Sequence, residues 1–191
     1  MGFRDAALLA VPRSLRWRPV EGAGLEHLTL RSTPDGLRAE AVVIGERGGG
    51  EPYGVSYAID CGTDFAVTAV TIAATDGRRV FLERRDGVWR DVFGEHLAAF
   101  DDCIDIDLQG SAFTNTLPIR REHWEIGQSR TFAMLYIPFD DFVPRLDRQT
   151  YTCLAPRLFR YQAADGSFEA ELPVDEDGLV VDYPSLFERI R

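Results

Sequence analysis

Two aspartates and two arginines near the middle of the chain are the residues with the clearest potential for chemistry. Polar and apolar residues alternate between positions 103 and 108, and the side chains of a strand alternate between its two faces. One face of this strand is therefore predicted to be apolar, and the other carries Asp105 and Asp107. Adjacent carboxylates repel each other unless a positive group lies opposite. Arg120 and Arg121 follow on what we predict to be the neighbouring strand, so we expect the carboxylates and the guanidiniums to meet.

A cation site and a cysteine nucleophile are two other chemistries that this segment suggests. Several carboxylates attract a hard cation, but the spacing from Asp101 to Asp107 lacks the turn glycine and the closing glutamate of an EF-hand loop. Cys103 could be a nucleophile with His96 or His123 as its base, but its acidic neighbours raise a thiol pKa and oppose a reactive thiolate. Ion pairs with arginine are the favoured interpretation, and no metal or cofactor is expected.

The segment from Phe113 to Arg121 places short hydroxyl and amide side chains beside two guanidiniums. Thr114 and Asn115 offer donors and acceptors for the hydroxyls of a sugar, and arginine offers a planar fork for a carboxylate or a phosphate. The segment is therefore a candidate for binding a polyhydroxyl or anionic head group. Alternatively, Thr114 and Asn115 hold a turn before Pro118, while the arginines neutralise the two aspartates.

The first half of the chain contributes aromatic candidates. Trp17 stands between two arginines and is either an anchor that packs the first strand or a residue at the lip of a site that stacks on a ligand. Tyr57 belongs to the segment Tyr53–Ile59, in which every second residue is aromatic or aliphatic, so it is predicted to face the interior. The preceding Gly45–Pro52 is interpreted as a flexible loop, because it lacks the lysine and the following helix of a phosphate-binding loop.

Composition limits the possible partners. The 191 residues, 45% of them hydrophobic, are enough for one domain over positions 1–191 with a well-filled core. A net charge of -10 opposes nucleic-acid binding, because phosphate contacts need a basic surface. No stretch approaches the roughly 18 consecutive apolar residues of a membrane span, so we expect a cytoplasmic protein. Cys61, Cys103 and Cys153 are widely spaced and are expected to be free, buried thiols. The oligomeric state is left open.

Turn signals recur along the whole chain and separate short β-like runs. Five Asp-Gly pairs, at 35–36, 76–77, 86–87, 165–166 and 177–178, predict tight turns. The strongest run, Gln128–Ile137, is expected to be a central strand that is buried on both faces. Helix is expected only at Gly94–Phe100 and at Ser185–Ile190. The pattern predicts a nearly all-β protein, an antiparallel roll or barrel of about a dozen short strands with one or two short helices.

The central segment discussed first also resembles a known family. The run from Cys103 to Leu108, followed by the run from Phe113 to Arg121, resembles the signature of a bacterial family labelled putative glycolipid-binding. Further similarity is found at Trp17, Glu26, Tyr57 and Trp89, and at 149–152, 159–161, 168–170 and 174–184. Two positions depart from the pattern, because Phe65 and Ala112 stand where we expect a tryptophan and a proline.

The resemblance implies a single-domain, largely antiparallel β-roll or half-barrel, similar to bacterial lipoprotein carriers, with an apolar interior for acyl chains. The leading hypothesis is non-enzymatic binding of an amphipathic small molecule such as a glycolipid, with the polar head near Asn115, Arg120 and Arg121. Two alternatives stay open: a protein-interaction module without a ligand, and a hydrolase of a sugar or lipid ester that uses Asp105 and Asp107 as general acid and base. The candidate ligand-binding residues are Trp17, Tyr57, Asp105, Asp107, Asn115, Arg120, Arg121 and Tyr151.

Overall fold

The computed structural model describes residue 3 and residues 11–46 and 50–190, and these form two β-sheets with one short α-helix. In chain order the elements are β1 (Arg13–Pro19), β2 (Leu25–Thr33), β3 (Gly36–Glu46), β4 (Pro52–Gly62), β5 (Val67–Ala74), β6 (Arg79–Arg85), β7 (Val88–Arg90), β8 (Asp105–Leu108), α1 (Thr116–Arg121), β9 (Ser129–Ile137), β10 (Arg145–Ala155), β11 (Leu158–Ala163), β12 (Glu169–Pro173), β13 (Asp182–Tyr183) and β14 (Phe187–Ile190).

Nine strands form the larger, half-barrel sheet in the order β13-β14-β1-β2-β3-β4-β5-β6-β7, and every neighbouring pair is antiparallel. The smaller sheet has the order β12-β11-β10-β9-β8. The predicted all-β class and half-barrel are confirmed. The loop predicted at Gly45–Pro52 joins β3 to β4, and its positions 47–49 lie outside the described residues.

The Asp-Gly turns are where the sequence predicts them. All five glycines have a positive φ, between 72° and 151°. Between β6 and β7, Asp86 and Gly87 have φ values of 53° and 80°, the backbone that a two-residue hairpin turn with the twist of its strands requires. Local turn chemistry therefore explains the hairpins that join β2 to β3, β5 to β6, β6 to β7 and β11 to β12.

One pair of strands is an exception to the largely antiparallel arrangement. β8 lies parallel to β9, with Asp105 opposite Met134 and Leu108 opposite Ile137. A parallel pair needs a crossover of a dozen or more residues, and positions 109–128 supply it. This crossover also corrects the prediction that Arg120 and Arg121 lie on a neighbouring strand: they lie in α1, which follows the 3-10 turn Phe113–Asn115. Pro118 is compatible with α1 because it lies in the first turn, where its missing N–H has no partner to lose.

The two predicted helices and the central strand also need correction. Ser185–Ile190 is not helical, because Phe187–Ile190 forms β14 and pairs with β1. Within Gly94–Phe100 only the 3-10 turn Ala98–Phe100 forms. β9 lies between β8 and β10, one place from the edge of its sheet, and only its second half is largely buried.

The space between the sheets is filled by side chains. Trp17 and Trp89 are fully buried, and their indole N–H groups donate to the carbonyls of Val180 (3.0 Å) and Cys103 (2.8 Å). Both bonds join the large sheet to segments outside it. Phe113, Leu117 and Ile119 bury the crossover in the same core, which is why the segment is held there.

Candidate functional site

Two adjoining cavities lie at the rim where residues of both sheets meet. The first, which we call the Glu26 chamber, has a volume of about 560 Å³ and apolar walls that include Leu25, Val43, Ile44, Tyr53 and Phe139. The second, the Asp107 chamber, has a volume of about 450 Å³ and contains Asp107, Ser111, Asn115, Tyr136, Tyr161, Phe168 and Tyr183 in its lining. Gln109, Leu186 and Phe187 line both. The two chambers together are called the cleft below.

Glu26 is a buried carboxyl group on the inward face of β2. It follows the same alternation as Leu28 and Leu30, so the strand carries it to the interior. The Tyr57 hydroxyl and Ser111 Oγ donate to its Oε1, the latter across 2.6 Å, and the backbone N–H of Ala112 donates to Oε2 at 3.3 Å. Burial raises the pKa of Glu26 to about 7, although the three hydrogen bonds oppose the shift. The group therefore changes charge near neutral pH.

Asp107 lies at the wall of the second chamber and is held by neutral donors. Its carboxylate accepts hydrogen bonds from Thr114 Oγ1 (2.8 Å) and Gln149 Nε2 (2.7 Å). Loss of contact with water raises its pKa, and these two hydrogen bonds partly offset the effect. Beside it, the Tyr151 hydroxyl donates to Asn115 Oδ1 across 2.9 Å.

The 3-10 turn and the residues before it connect the two carboxyl groups. Ser111 binds Glu26 and accepts the backbone N–H of Phe113 at 3.1 Å, and three residues after Ser111 comes Thr114, which binds Asp107. Ser111 lines the Asp107 chamber, while Glu26 lines the other. One short segment therefore supplies hydrogen bonds to a carboxyl group in each chamber.

Three aromatic rings form one wall of the Asp107 chamber. Tyr161, Phe168 and Tyr183 lie with their ring centroids 6.0–6.1 Å apart and with interplanar angles of 55–63°. Tyr151 packs against Tyr161 at 5.5 Å. An amphipathic surface results, in which apolar rings stand close to the oxygen and nitrogen atoms around Asp107.

The predicted meeting of aspartate and arginine is confirmed for one pair. Arg121 binds Asp105 with Nη2 to Oδ2 at 2.7 Å and Nε to Oδ1 at 3.2 Å, and it also pairs with Glu122 at 2.6 Å. Burial raises the pKa of Asp105, and the neighbouring guanidinium opposes that shift. The expectation that Asp107 also pairs with an arginine is wrong: its carboxylate accepts hydrogen bonds from an amide and a hydroxyl.

Arg120 and Trp17, two further candidate binding residues, contact parts of the protein outside the cleft. The Arg120 guanidinium donates to the Asp177 carbonyl at 2.9 Å and lies over the Phe65 ring at 4.5 Å. Trp17 is the core anchor described above. Neither residue lines the cleft.

The structure thus divides the eight predicted residues into three groups. Asp107 and Asn115 line the cleft. Tyr57 and Tyr151 are buried behind its wall and donate to residues that line it. The remaining four, which lie outside the lining, are Trp17, Asp105, Arg120 and Arg121.

Sequence reasoning missed Glu26, Ser111 and Gln149 as parts of this site. Glu26 had a detectable signal, since it is a carboxyl group in phase with the apolar residues of its strand. Ser111 and Gln149 had none, because their roles depend on Glu26 and Asp107, which lie 85 and 42 positions away along the chain.

The cysteines are free and buried, as predicted. Burial raises the pKa of the Cys103 thiol to about 11, which opposes the thiolate that a nucleophile needs. Within residues 11–46 and 50–190, no cluster of three or more histidine, cysteine or acidic residues could hold a metal ion. The helices of this same part of the chain are all too short or too polar to cross a membrane.

Comparison with known proteins supplies one family and one solved structure. The family model described as "Putative glycolipid-binding" matches residues 14–189. A crystal structure of a DUF1089 family protein from Pseudomonas aeruginosa is 38% identical in sequence, with a TM-score of 0.78, and the alignment covers 91% of this chain and 95% of that one. No curated protein matches the chain.

Proposed function

From the premise that the chain belongs to the putative glycolipid-binding family, as its sequence resemblance indicated, we propose that it binds an amphipathic small molecule of the glycolipid type in the cleft, without converting it chemically.

The adjacency of the two chambers is the observation that carries this proposal. Gln109, Leu186 and Phe187 line both, so the chambers meet at these residues, and we propose that one molecule crosses there from the first chamber into the second. The volumes of about 560 and 450 Å³ lie within the range of about 300–1,000 Å³ that is typical of small-molecule sites. The lining of each chamber combines apolar side chains, such as Leu25 and Phe139 in the first and Tyr161 and Phe168 in the second, with hydrogen-bonding groups, which matches a ligand that is itself amphipathic.

The exposed apolar side chains support one orientation of the ligand. We place its apolar chain in the Glu26 chamber beside Leu25 and Ile44, where it removes their exposed carbon atoms from water. The polar head occupies the Asp107 chamber, where Asp107 and Asn115 contact it. Tyr57 and Tyr151 orient the lining groups through their hydrogen bonds.

This proposal narrows the set of residues expected from the sequence. Asp105 and Arg121 stabilise the crossover through their ion pair, and Arg120 stabilises the segment around Asp177. Trp17 packs the core. A hydrolase built on Asp105 and Asp107 would need both carboxylates at one substrate, whereas Asp107 alone of the two lines the cleft.

Native mass spectrometry tests the proposal, combined with organic extraction of the purified protein. A stoichiometric amphiphile in the extract supports it. A bare mass that is unchanged after incubation with a panel of glycolipids contradicts it and favours the protein-interaction module.

A pair of variants locates the site. Leu186 is exposed and lines both chambers, so Leu186→Trp puts a bulkier side chain where the ligand is proposed to cross between them and is expected to weaken binding by at least about tenfold. Val42→Trp is the matched control, because Val42 is an exposed aliphatic residue of β3 outside the lining of the cleft. Equal affinity of the two variants would place the ligand elsewhere.

A further inference from the structure

We propose that the head group bound by the Asp107 chamber is an uncharged ring with several hydroxyl groups, and that the cleft rejects amphiphiles with phosphate, sulfate or carboxylate heads. This inference rests on the proposed function and specifies the chemical class of its ligand.

Unused hydrogen-bonding capacity in the chamber is the first argument. A carboxylate has about four acceptor positions, and the side chains of Thr114 and Gln149 occupy two of those of Asp107. Asn115 accepts from Tyr151 and donates to the Ala112 carbonyl at 3.4 Å, and its amide nitrogen carries two hydrogens. Hydroxyl groups both donate and accept, so they can bind the Asp107 oxygens and the remaining Asn115 N–H together.

The aromatic wall is the second argument. The C–H faces of a sugar ring are apolar and its rim is polar, which fits a chamber where the rings of Tyr161, Phe168 and Tyr183 face hydrogen-bonding groups. Their interplanar angles of 55–63° turn ring edges towards neighbouring faces. A quaternary ammonium has no hydroxyl groups, so it would leave the hydrogen-bonding groups of Asp107 and Asn115 without partners, which favours a ring that carries hydroxyls.

Charge is the third argument, and it decides against anions. Among the lining residues that the structure describes, four are acidic in the Glu26 chamber and three in the Asp107 chamber. The basic residue among them is Arg145, and its guanidinium is paired with Asp141. An anionic head would lose water next to Asp107 without a free guanidinium to replace that hydration.

Three amphiphiles with the same twelve-carbon chain test the inference at pH 7.5 and low salt. They are dodecyl maltoside, dodecyl phosphate and dodecyltrimethylammonium, each titrated by calorimetry below its micelle concentration, with near-ultraviolet circular dichroism to confirm that the protein stays folded. Dodecyl maltoside is expected to bind at least about tenfold more tightly than dodecyl phosphate, a difference of about 1.4 kcal/mol, and more tightly than the ammonium compound.

Asp107→Asn tests the named residue. The amide keeps the size of the side chain and one acceptor oxygen, so maltoside binding is expected to weaken by about fivefold to tenfold, because hydrogen bonds to a charged acceptor are the stronger ones. Dodecyl phosphate should bind less weakly relative to dodecyl maltoside, because the variant removes the negative charge at position 107. Asp35→Asn is the control, since it makes the same charge change in an exposed turn at the far end of β2 and β3, and it should alter neither affinity.

The outcomes separate this inference from the proposed function. If the maltoside and the phosphate bind equally, or if the ammonium compound binds most tightly, the head-group class is wrong and amphiphile binding stands. If none of the three binds, both proposals fail. If Asp107→Asn does not fold, the ranking of the three amphiphiles on the unaltered protein still decides.

Discussion

Ser111 donates its hydroxyl hydrogen to Glu26 across 2.6 Å, and this bond ties the loop that opens the crossover to the inner face of the half-barrel. The two residues are 85 positions apart in the chain. Their contact places a carboxyl group with a pKa near neutrality at the wall of the proposed binding cleft.

The raised pKa of Glu26 predicts that this group makes the protein less stable as the pH rises. Its pKa is about 7 in the folded state against 4.5 in the unfolded state, so the folded protein binds more protons between these values. The free energy of unfolding should therefore fall with a rise from pH 4.5 to 7, by about 3 kcal/mol from this residue, and level off above. Urea unfolding across this range measures the effect.

Glu26→Gln isolates that contribution, because the amide is neutral throughout. The slope of unfolding free energy against pH should be shallower in the variant than in the unaltered protein, with the difference confined to pH 4.5–7. If the curves of unfolding free energy against pH are parallel for Glu26→Gln and the unaltered protein, Glu26 is not the source of the slope.

The ion pair between Asp105 and Arg121 is predicted to be important for folding and unimportant for binding. Arg121→Ala leaves the buried Asp105 carboxylate without its guanidinium and should lower the free energy of unfolding by about 3–5 kcal/mol. Arg18→Ala breaks the exposed pair with Glu188 and should cost within about 1 kcal/mol. Urea unfolding compares the two variants. If both lose a similarly small amount of unfolding free energy, the ion pair between Asp105 and Arg121 does not have the structural role predicted here.

Trp17→Phe should destabilise the protein without changing the amphiphile affinity of the folded form. The variant loses part of a fully buried ring and leaves the Val180 carbonyl without its donor, which costs about 2–4 kcal/mol in total. Thermal unfolding gives the loss of stability, and calorimetry at a temperature where the variant is folded gives the affinity. A fall in affinity with unchanged stability would restore Trp17 as a residue that contacts the ligand.

Two turn glycines should respond differently to alanine. Gly36 and Gly77 both have positive φ, at 151° and 95°. A Cβ at Gly36 would lie 2.2 Å from the Cys61 carbonyl oxygen, whereas a Cβ at Gly77 meets no atom within 4 Å. Gly77→Ala should therefore lower the free energy of unfolding by about 1 kcal/mol, because only its backbone conformation is strained. Gly36→Ala should lower it several-fold more, because β4 must also shift. Chemical denaturation of both variants checks the order.

The strands and turns were predictable because their signals are local. Alternation in β4 and the turn at Asp86 and Gly87 depend on residues two to four positions apart, and the structure has both. β14 was mistaken for a helix because its strand geometry comes from pairing with β1, which no local pattern reveals. The helical crossover was missed for the same reason, since burial of Phe113 and Leu117 against the core holds it in place.

The site was predictable in part. Asp107 is recognisable because it lies on the polar face of an alternating strand, and Asn115 because it lies among short hydroxyl and amide side chains; both line the cleft. Their partners Gln149 and Tyr151 come from β10, across the second sheet, so the residues that hold them could not be paired with them from spacing alone. That residues 1–191 form a single domain stays a prediction.

The pairing of β1 with β14 has a consequence for how the protein is made. Arg18 and Glu188 face each other across these strands although 170 residues separate them, so during synthesis the outer edge of β1 stays unpaired until the ribosome has released almost all of this sequence. An unpaired edge can pair with another nascent chain, so misassembly can begin during this interval. Tyr183, Leu186 and Phe187 arrive in the same late segment, so a nascent chain acquires the proposed cleft only when its larger sheet is complete.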